Sequence, residues 1–179
     1  MPQSVVSGVW SEFGAKLDDQ SKVPVQVVEM PRGMSRAKID DKGRIKLPAG
    51  FLHFFDALPE RKVFVTSTDG RIAEIYPISA WREMEKFLIA NRKMDSARRA
   101  LFTAGRLGSD CEVDTQGRVT VNSELRAELG LDNQELHVEP YNTSRIRILS
   151  AAMFKESMDD FRAADPKKDK DELLAAGMP

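Results

Sequence analysis

The sequence is poor in the residue types on which many enzymes and cross-linked scaffolds are built. It holds one cysteine, Cys111, and two histidines, His53 and His137, in 179 residues. A single cysteine cannot form an intramolecular disulfide, which suits a reducing cytoplasm. Cys111 stands in Ser109-Asp110-Cys111-Glu112, where acidic neighbours disfavour a thiolate. A plain strand residue is therefore expected there rather than a nucleophile. The two histidines are far apart and lack ligand spacing, so no metal site is expected. The N-terminus has no basic region followed by a continuous apolar run, so neither a signal peptide nor a membrane span is expected. No Gly-rich phosphate loop is present, and no cofactor is expected. Glu83, Glu85, Asp159 and Asp160 lie in helix-like segments without a nucleophile or base beside them. Together these absences argue against an enzyme and against a small-molecule substrate. An excess of one charge is missing too: 27 Lys and Arg oppose 28 Asp and Glu, for a net charge of -1. Any attraction to nucleic acid must come from local patches or from assembly.

What is present is an ordinary globular balance, 41% hydrophobic and 31% charged, and an internal repeat. Ile39-Asp40-Asp41-Lys42-Gly43-Arg44-Ile45-Lys46-Leu47-Pro48 matches Val113-Asp114-Thr115-Gln116-Gly117-Arg118-Val119-Thr120-Val121-Asn122, 74 positions later (114 minus 40). Downstream, Lys62-Val63-Phe64-Val65 resembles Glu135-Leu136-His137-Val138 with a one-residue slip, and Arg71-Ile72 matches Arg145-Ile146. Each copy ends in a helix-like segment, with Trp81, Met84 and Leu88 in the first and Phe154, Met158 and Phe161 in the second. These two sets are expected to be core or subunit seams.

The Asp-x-x-Gly-Arg element is turn chemistry: the Asp side chain accepts backbone N–H bonds and Gly tolerates positive φ. Alternation then places Ile45 and Leu47 on one face of a strand and Arg44 and Lys46 on the other. Pro48 suits the start of a short apolar helix through Phe51, Phe54 and Phe55. Asn122 or Ser123 can cap its counterpart, and Gly130 can end it. Asp69-Gly70 predicts a hairpin between Val63–Ser67 and Arg71–Tyr76. Ser79 and Ser150 are expected caps of the two closing helices, and Asp95 of a connecting helix.

From Met30 to about Phe161 the chain resembles the MraZ family of bacterial transcriptional regulators. The two Asp-x-x-Gly-Arg motifs, the Asp69-Gly70 hairpin, Tyr76-Pro77 followed by Trp81, and the Asp95–Arg99 segment carry the resemblance. It implies an α+β, β-rich duplicated AbrB-like double half-barrel with pseudo-twofold symmetry, short helices and a connecting helix. The implied division is an N-terminal extension at 1–29, a first repeat at 30–92, a connecting helix at 93–106, a second repeat at 107–164, and a mobile charged tail at 165–179. The family's place is the cytoplasm and nucleoid. Its partners would be double-stranded DNA, at short G-rich direct repeats upstream of the cell-division and cell-wall genes including its own operon, and itself, as a ring-shaped homo-oligomer. The family's DNA-contacting arginines fall on Arg44 and Arg118. This sequence departs from the family pattern in the extension and in Asn122, where proline is common.

The residues support a local reading of their own. Arg32, Arg36, Lys38, Lys42, Arg44 and Lys46 oppose Asp40 and Asp41, a local net of +4 (six minus two). Arg44 is the candidate base reader, because arginine can pair bidentately with guanine in the major groove. Lys42 and Lys46, with Arg36 and Lys38, are candidate DNA contacts that position without specifying. The alternative for Arg44 is a structural ion pair with Asp40 or Asp114. Arg118 stands among Asp110, Glu112 and Asp114, so its DNA role depends on the duplicated geometry, with a structural pair as the alternative. A rival function is a protein–protein module or antitoxin-like scaffold that uses the fold only to oligomerise.

Overall fold

A computed structural model describes residues 29–142 and 144–179. In chain order its elements are β1 (Ser35–Ala37), β2 (Arg44–Lys46), α1 (Ala49–Asp56), β3 (Lys62–Thr66), β4 (Ala73–Pro77), α2 (Ile78–Ala90) and α3 (Asp95–Leu107). There follow β5 (Ser109–Glu112), β6 (Arg118–Thr120), α4 (Ser123–Leu129), β7 (Leu136–Tyr141), β8 (Arg145–Leu149), α5 (Ala151–Ala163) and α6 (Pro166–Ala175). The class is mixed α+β, with an antiparallel six-stranded sheet of order β1-β7-β8-β4-β3-β5 and a separate antiparallel pair, β2-β6. Among the described residues the β-rich description fits the core and not the rest, since α2, α3 and α5 each run 13 residues while none of the described strands exceeds six.

The sheet order encodes the repeat. Exchanging β1 with β5, β3 with β7 and β4 with β8 reverses the order and leaves every pairing intact. The first strand of each copy pairs with the hairpin of the other: β1 with β7, and β5 with β3. The copies are therefore threaded through one another. Their shared core draws Ile45, Phe55, Val63, Val65 and Ile75 from the first copy and Val119, Leu125, Leu136, Val138 and Ile146 from the second, all fully buried. Full burial of side chains this size contributes about 1.5–3 kcal/mol each.

The slipped alignment downstream holds in three dimensions. Phe64 stacks on Trp81 at 4.4 Å in the first copy, and His137 stacks on Phe154 at 3.7 Å in the second. The two sides then diverge. Helix α3 covers α2, burying Trp81 with Tyr76 and Ala104. Helix α5 buries no residue completely, and Phe161 is 77% exposed. Phe161 is thus not a core residue of this chain.

Local expectations were met unevenly. Pro48 precedes α1; Asn122 caps α4 by accepting from Leu125 N at 2.7 Å; Gly130 ends that helix at φ 59°; and Ser150 caps α5 through Met153 N. Two expected caps are corrected. Helix α2 starts at Ile78 behind Pro77, so Ser79 lies inside its first turn. Asp95 is the first residue of α3, behind Met94, and its carboxylate pairs with Arg98. A first-turn acid still complements the helix dipole, so the residue type was informative although its position was one late. The Asp69-Gly70 hairpin is broader than a two-residue turn. Asp69 Oδ1 accepts from Arg71 N and Ile72 N, which keeps Arg71 and Ile72 out of β4. The charged segment at 165–179 contains a helix, α6, which sequence reasoning did not foresee. Asp165 caps it through Lys167 N and Lys168 N, Pro166 opens it, and every residue of it is exposed.

Candidate nucleic-acid interface

The two Asp-x-x-Gly-Arg motifs fold into the same loop. Asp40 N donates to Arg44 O and Gly43 N to Asp40 O; Asp114 N donates to Arg118 O and Gly117 N to Asp114 O. Each Asp side chain fills the loop. Asp40 Oδ1 accepts from Lys42 N at 3.0 Å and Arg44 N at 2.9 Å, and Asp114 Oδ1 accepts from Gln116 N at 2.8 Å and Arg118 N at 2.9 Å. Gly43 and Gly117 both sit near φ +74° and +73°, a conformation that costs a non-glycine residue about 1–2 kcal/mol.

What lies behind each glycine comes from the other copy. A Cβ on Gly43 would meet the guanidinium of Arg126, from α4, at 3.1 Å. A Cβ on Gly117 would meet Leu52, from α1, at 3.6 Å. Leu52 and Arg126 are themselves 74 positions apart, so the repeat places a leucine where its twin has an arginine. Arg126 is held by Val121 O at 3.0 Å and Asp132 at 2.7 Å. Sequence reasoning passed over Arg126, because nothing near it in the chain marks it as a neighbour of Gly43. Gly43→Ala should destabilise the fold more than Gly117→Ala, since both carry the positive-φ cost but only the first crowds a planar, tethered group. Urea midpoints of the two variants would check the order; equal losses would argue that Arg126 yields freely.

The loops feed a two-stranded ribbon. In β2-β6, Arg44 lies opposite Thr120, Ile45 opposite Val119 and Lys46 opposite Arg118. Leu47 N donates to Gly117 O and Val121 N to Gly43 O, each at 2.8 Å, closing the ribbon at both ends. Ile45 and Val119 turn inward and are fully buried. Residues directly opposite in an antiparallel pair share a face, so Arg44, Thr120, Lys46 and Arg118 form the outer one.

Each arginine on that face is oriented by its own loop. Arg44 donates from Nε and Nη2 to Asp40 Oδ2, at 3.0 and 2.8 Å; Arg118 donates from Nε to Asp114 Oδ2 at 2.6 Å. The structural pair weighed for Arg44 is therefore real, with Asp40 as its partner. It does not consume the side chain. A guanidinium has five N–H donors, and a carboxylate on the Nε–Nη2 edge leaves the terminal Nη1–Nη2 edge directed away. The side chains of Arg44 and Arg118 are 26% and 29% exposed, so solvent reaches them. The Arg44 guanidinium holds the Asp40 carboxyl down at about 2, helped by the Arg44 backbone N–H. Burial works to raise the Asp114 carboxyl but is outweighed by hydrogen bonds from the Arg118 backbone and side chain and from Gln116 N, and it too is lowered. A carboxylate with a depressed pKa keeps its partner above the ordinary range near 4 and loses it only as pH falls toward the folded value. Both arginines are consequently clamped throughout the neutral range.

The strand register changes the charge picture read from the sequence. Lys46, assigned with the first copy, stands beside Arg118, while Lys42 stays in the loop that leads to Arg44. Asp110 and Glu112, which sit close to Arg118 in sequence, lie on β5, opposite Phe64 and Lys62 of the large sheet. One end of the ribbon thus pairs Arg118 with Lys46 and the other pairs Arg44 with Thr120, with Lys42 in the loop before Arg44. Arg36 is not on the ribbon: it lies on β1 opposite His137 and reaches Glu135 at 3.4 Å. Lys38 is exposed between β1 and the Ile39–Ile45 bridge.

A groove of about 630 Å³ lies elsewhere, between β5 and α2, lined by Phe64, Trp81, Asp110, Cys111 and Glu112 among others. Burial, with Asp110 adding to it, pushes the Cys111 thiol up to about 11. The groove therefore holds no ready thiolate. Among the described residues no helix is long and apolar enough to cross a membrane.

Comparison with known proteins gives one consistent answer. No protein-family profile matches the chain. Proteins named Transcriptional regulator MraZ do. The one from Acidobacterium capsulatum is 39% identical over 98 residues, 54% of this chain and 67% of the relative. The one from Koribacter versatilis is 37% identical over 99 residues, again 54% and 67%. The one from Tolumonas auensis is 29% identical over 143 residues, 78% of this chain and 92% of the relative. The names of these relatives describe regulators and not enzymes.

Proposed function

The chain belongs to the MraZ family, and from that premise and the ribbon's geometry we propose that it regulates transcription by binding double-stranded DNA. The observation that carries the reading is the placement of Arg44 and Arg118 on one outer face, each clamped by its own Asp. A two-stranded ribbon can enter the major groove, and an arginine presenting two parallel N–H groups matches guanine O6 and N7. Lys42, in the loop, is suited to a phosphate contact, and Lys46 meets the DNA beside Arg118; Arg36 and Lys38 are outlying contacts at the β1 margin. The implied sites are short G-rich direct repeats upstream of the cell-division and cell-wall gene cluster, including the protein's own operon. Selecting bound DNA from a random pool tests this directly. A motif that recurs upstream of the gene is expected, and failure to enrich any motif would sink the reading.

In this reading the threaded copies, 30–92 and 107–164 joined by 93–106, are interlocked half-barrels. The subunits assemble as a ring. Support for self-association comes from apolar side chains left outside the subunit: Phe87 at 60% exposure and Phe102 at 71%, with Ile89, Met94 and Phe161. Large apolar groups in solvent mark contact surfaces. A ring holding several ribbons would engage tandem boxes together, and such avidity can exceed single-site affinity by on the order of 10²–10⁴. That answers the near-zero net charge, because modest ribbons are summed. Lys42→Ala should weaken binding to all sequences alike and flatten the salt dependence by about one unit per ribbon, as for a lost phosphate contact. Titrations at several salt concentrations would show it; an unchanged slope would remove Lys42 from the phosphate backbone.

A further inference from the structure

The ribbon is nearly but not wholly symmetric. About the pseudo-twofold axis that exchanges Ile45 with Val119, Arg44 exchanges with Arg118 and Lys46 exchanges with Thr120. The backbone loops on either side are the same, and each arginine is clamped by its own Asp, Arg44 through Nε and Nη2 and Arg118 through Nε. The outer face differs at one exchanged pair. Arg118 has the Lys46 ammonium directly across from it, whereas Arg44 has the Thr120 hydroxyl and methyl. Both Lys46 and Thr120 are exposed, so both meet whatever lies against the face.

B-DNA has a twofold relation of its own between its strands. A fully symmetric ribbon would dock equally well in two opposite orientations and would favour self-complementary sites. Two cations at one end and a cation beside a hydroxyl at the other present unlike donor sets to the groove. Lysine donates to guanine O6 and N7, while threonine donates or accepts and offers its methyl to thymine. We infer that the Lys46–Arg118 end and the Thr120–Arg44 end make the two docking orientations unequal, so that each subunit reads its box in one direction. Lys46 and Thr120 are the specificity-determining pair. The inference rests on the DNA-binding reading above and deepens it.

The other differences between the copies act off this face. Lys42 and Gln116 sit in the loops. Arg126 lies behind Gly43 and is tied to Val121 O and Asp132, and Leu52 lies behind Gly117. Lys42, a loop cation, can strengthen phosphate contact at its end of the ribbon.

The test is selection of single-box duplexes by the full chain, repeated with Thr120→Lys, which gives both ends an arginine and a lysine. Wild type should select a motif that is not its own reverse complement. It should prefer that box over either self-complementary derivative by about fivefold or more for each base pair changed. Thr120→Lys should select a self-complementary motif and lose that preference. Lys46→Thr, which symmetrises the face in the opposite sense, should do the same at weaker affinity and guards against a fault peculiar to one variant. If both variants keep the wild-type asymmetry, or if wild type itself selects a self-complementary box, the inference is overturned while DNA binding stands. If wild type enriches no sequence at all, the DNA-binding reading fails and the inference falls with it.

Discussion

Arg44→Ala should abolish preference for the operator while leaving the fold and assembly intact. A well-formed bidentate arginine–guanine contact is worth about 1–3 kcal/mol of discrimination. Each subunit that engages a box loses that amount, so an assembly holding several boxes loses it several times over. A second effect acts in the same direction. The Asp40 carboxyl is held at about 2 chiefly by the Arg44 side chain. Without that guanidinium the carboxylate remains ionised at neutral pH and becomes a bare negative charge facing phosphates. The fold should tolerate the change. Asp40 Oδ1 still accepts from Lys42 N and from the backbone N of residue 44, the inward side of the ribbon at Ile45 is untouched, and Arg44 packs into no buried cluster. A gel-shift titration beside size-exclusion of both proteins would check this. Equal affinities would remove Arg44 as the reader, and a change in assembly size would make it structural. Asp40→Ala offers a contrast: it frees the guanidinium but keeps the cation, so it should cost specificity and spare non-specific binding.

How much of this was readable in the chain depends on the range of the interaction. The Asp-x-x-Gly-Arg loops were legible because their chemistry lies within five residues: the carboxylate, the N–H groups it accepts and the positive-φ glycine are all local. The caps at Asn122 and Ser150 were legible for the same reason. Ser79 and Asp95 misled by a residue because Pro77 and Met94 begin those helices without a side-chain hydrogen bond. No rule based on capping side chains sees such a start. The pairing of β2 with β6 was a different matter. The repeat made symmetry expected, but which lysine stands beside which arginine is set by an antiparallel register between residues about 70 apart. The linear tally credited the basic charge to the first copy and left Arg118 among acids. The register moves Lys46 to Arg118 and pairs Asp110 and Glu112 with β3 of the large sheet. Arg126 behind Gly43 is hidden for the same reason.

Split between α2 and α3, at residue 92, neither half of the chain should fold as a monomer, and the two together should. The first half would lose β5 from the edge of β3, β7 from β1 and β6 from β2. It would also lose the cover that α3 gives Trp81. Ile45 and Val119, fully buried in the whole chain, would face water in both halves. At about 1.5–3 kcal/mol per exposed core side chain, a handful of such losses consumes the 5–15 kcal/mol by which domains are typically stable, roughly speaking. Thermal melts followed by circular dichroism should show no cooperative transition for either half alone and one cooperative transition for an equimolar mixture. The near-symmetry allows one other route to order: β2 of one molecule can pair with β2 of another, as it does with β6. Any structure in an isolated half should therefore sharpen with concentration and vanish on dilution. A half that melts cooperatively as a dilute monomer would mean that the exchanged strands are decoration on two self-sufficient domains.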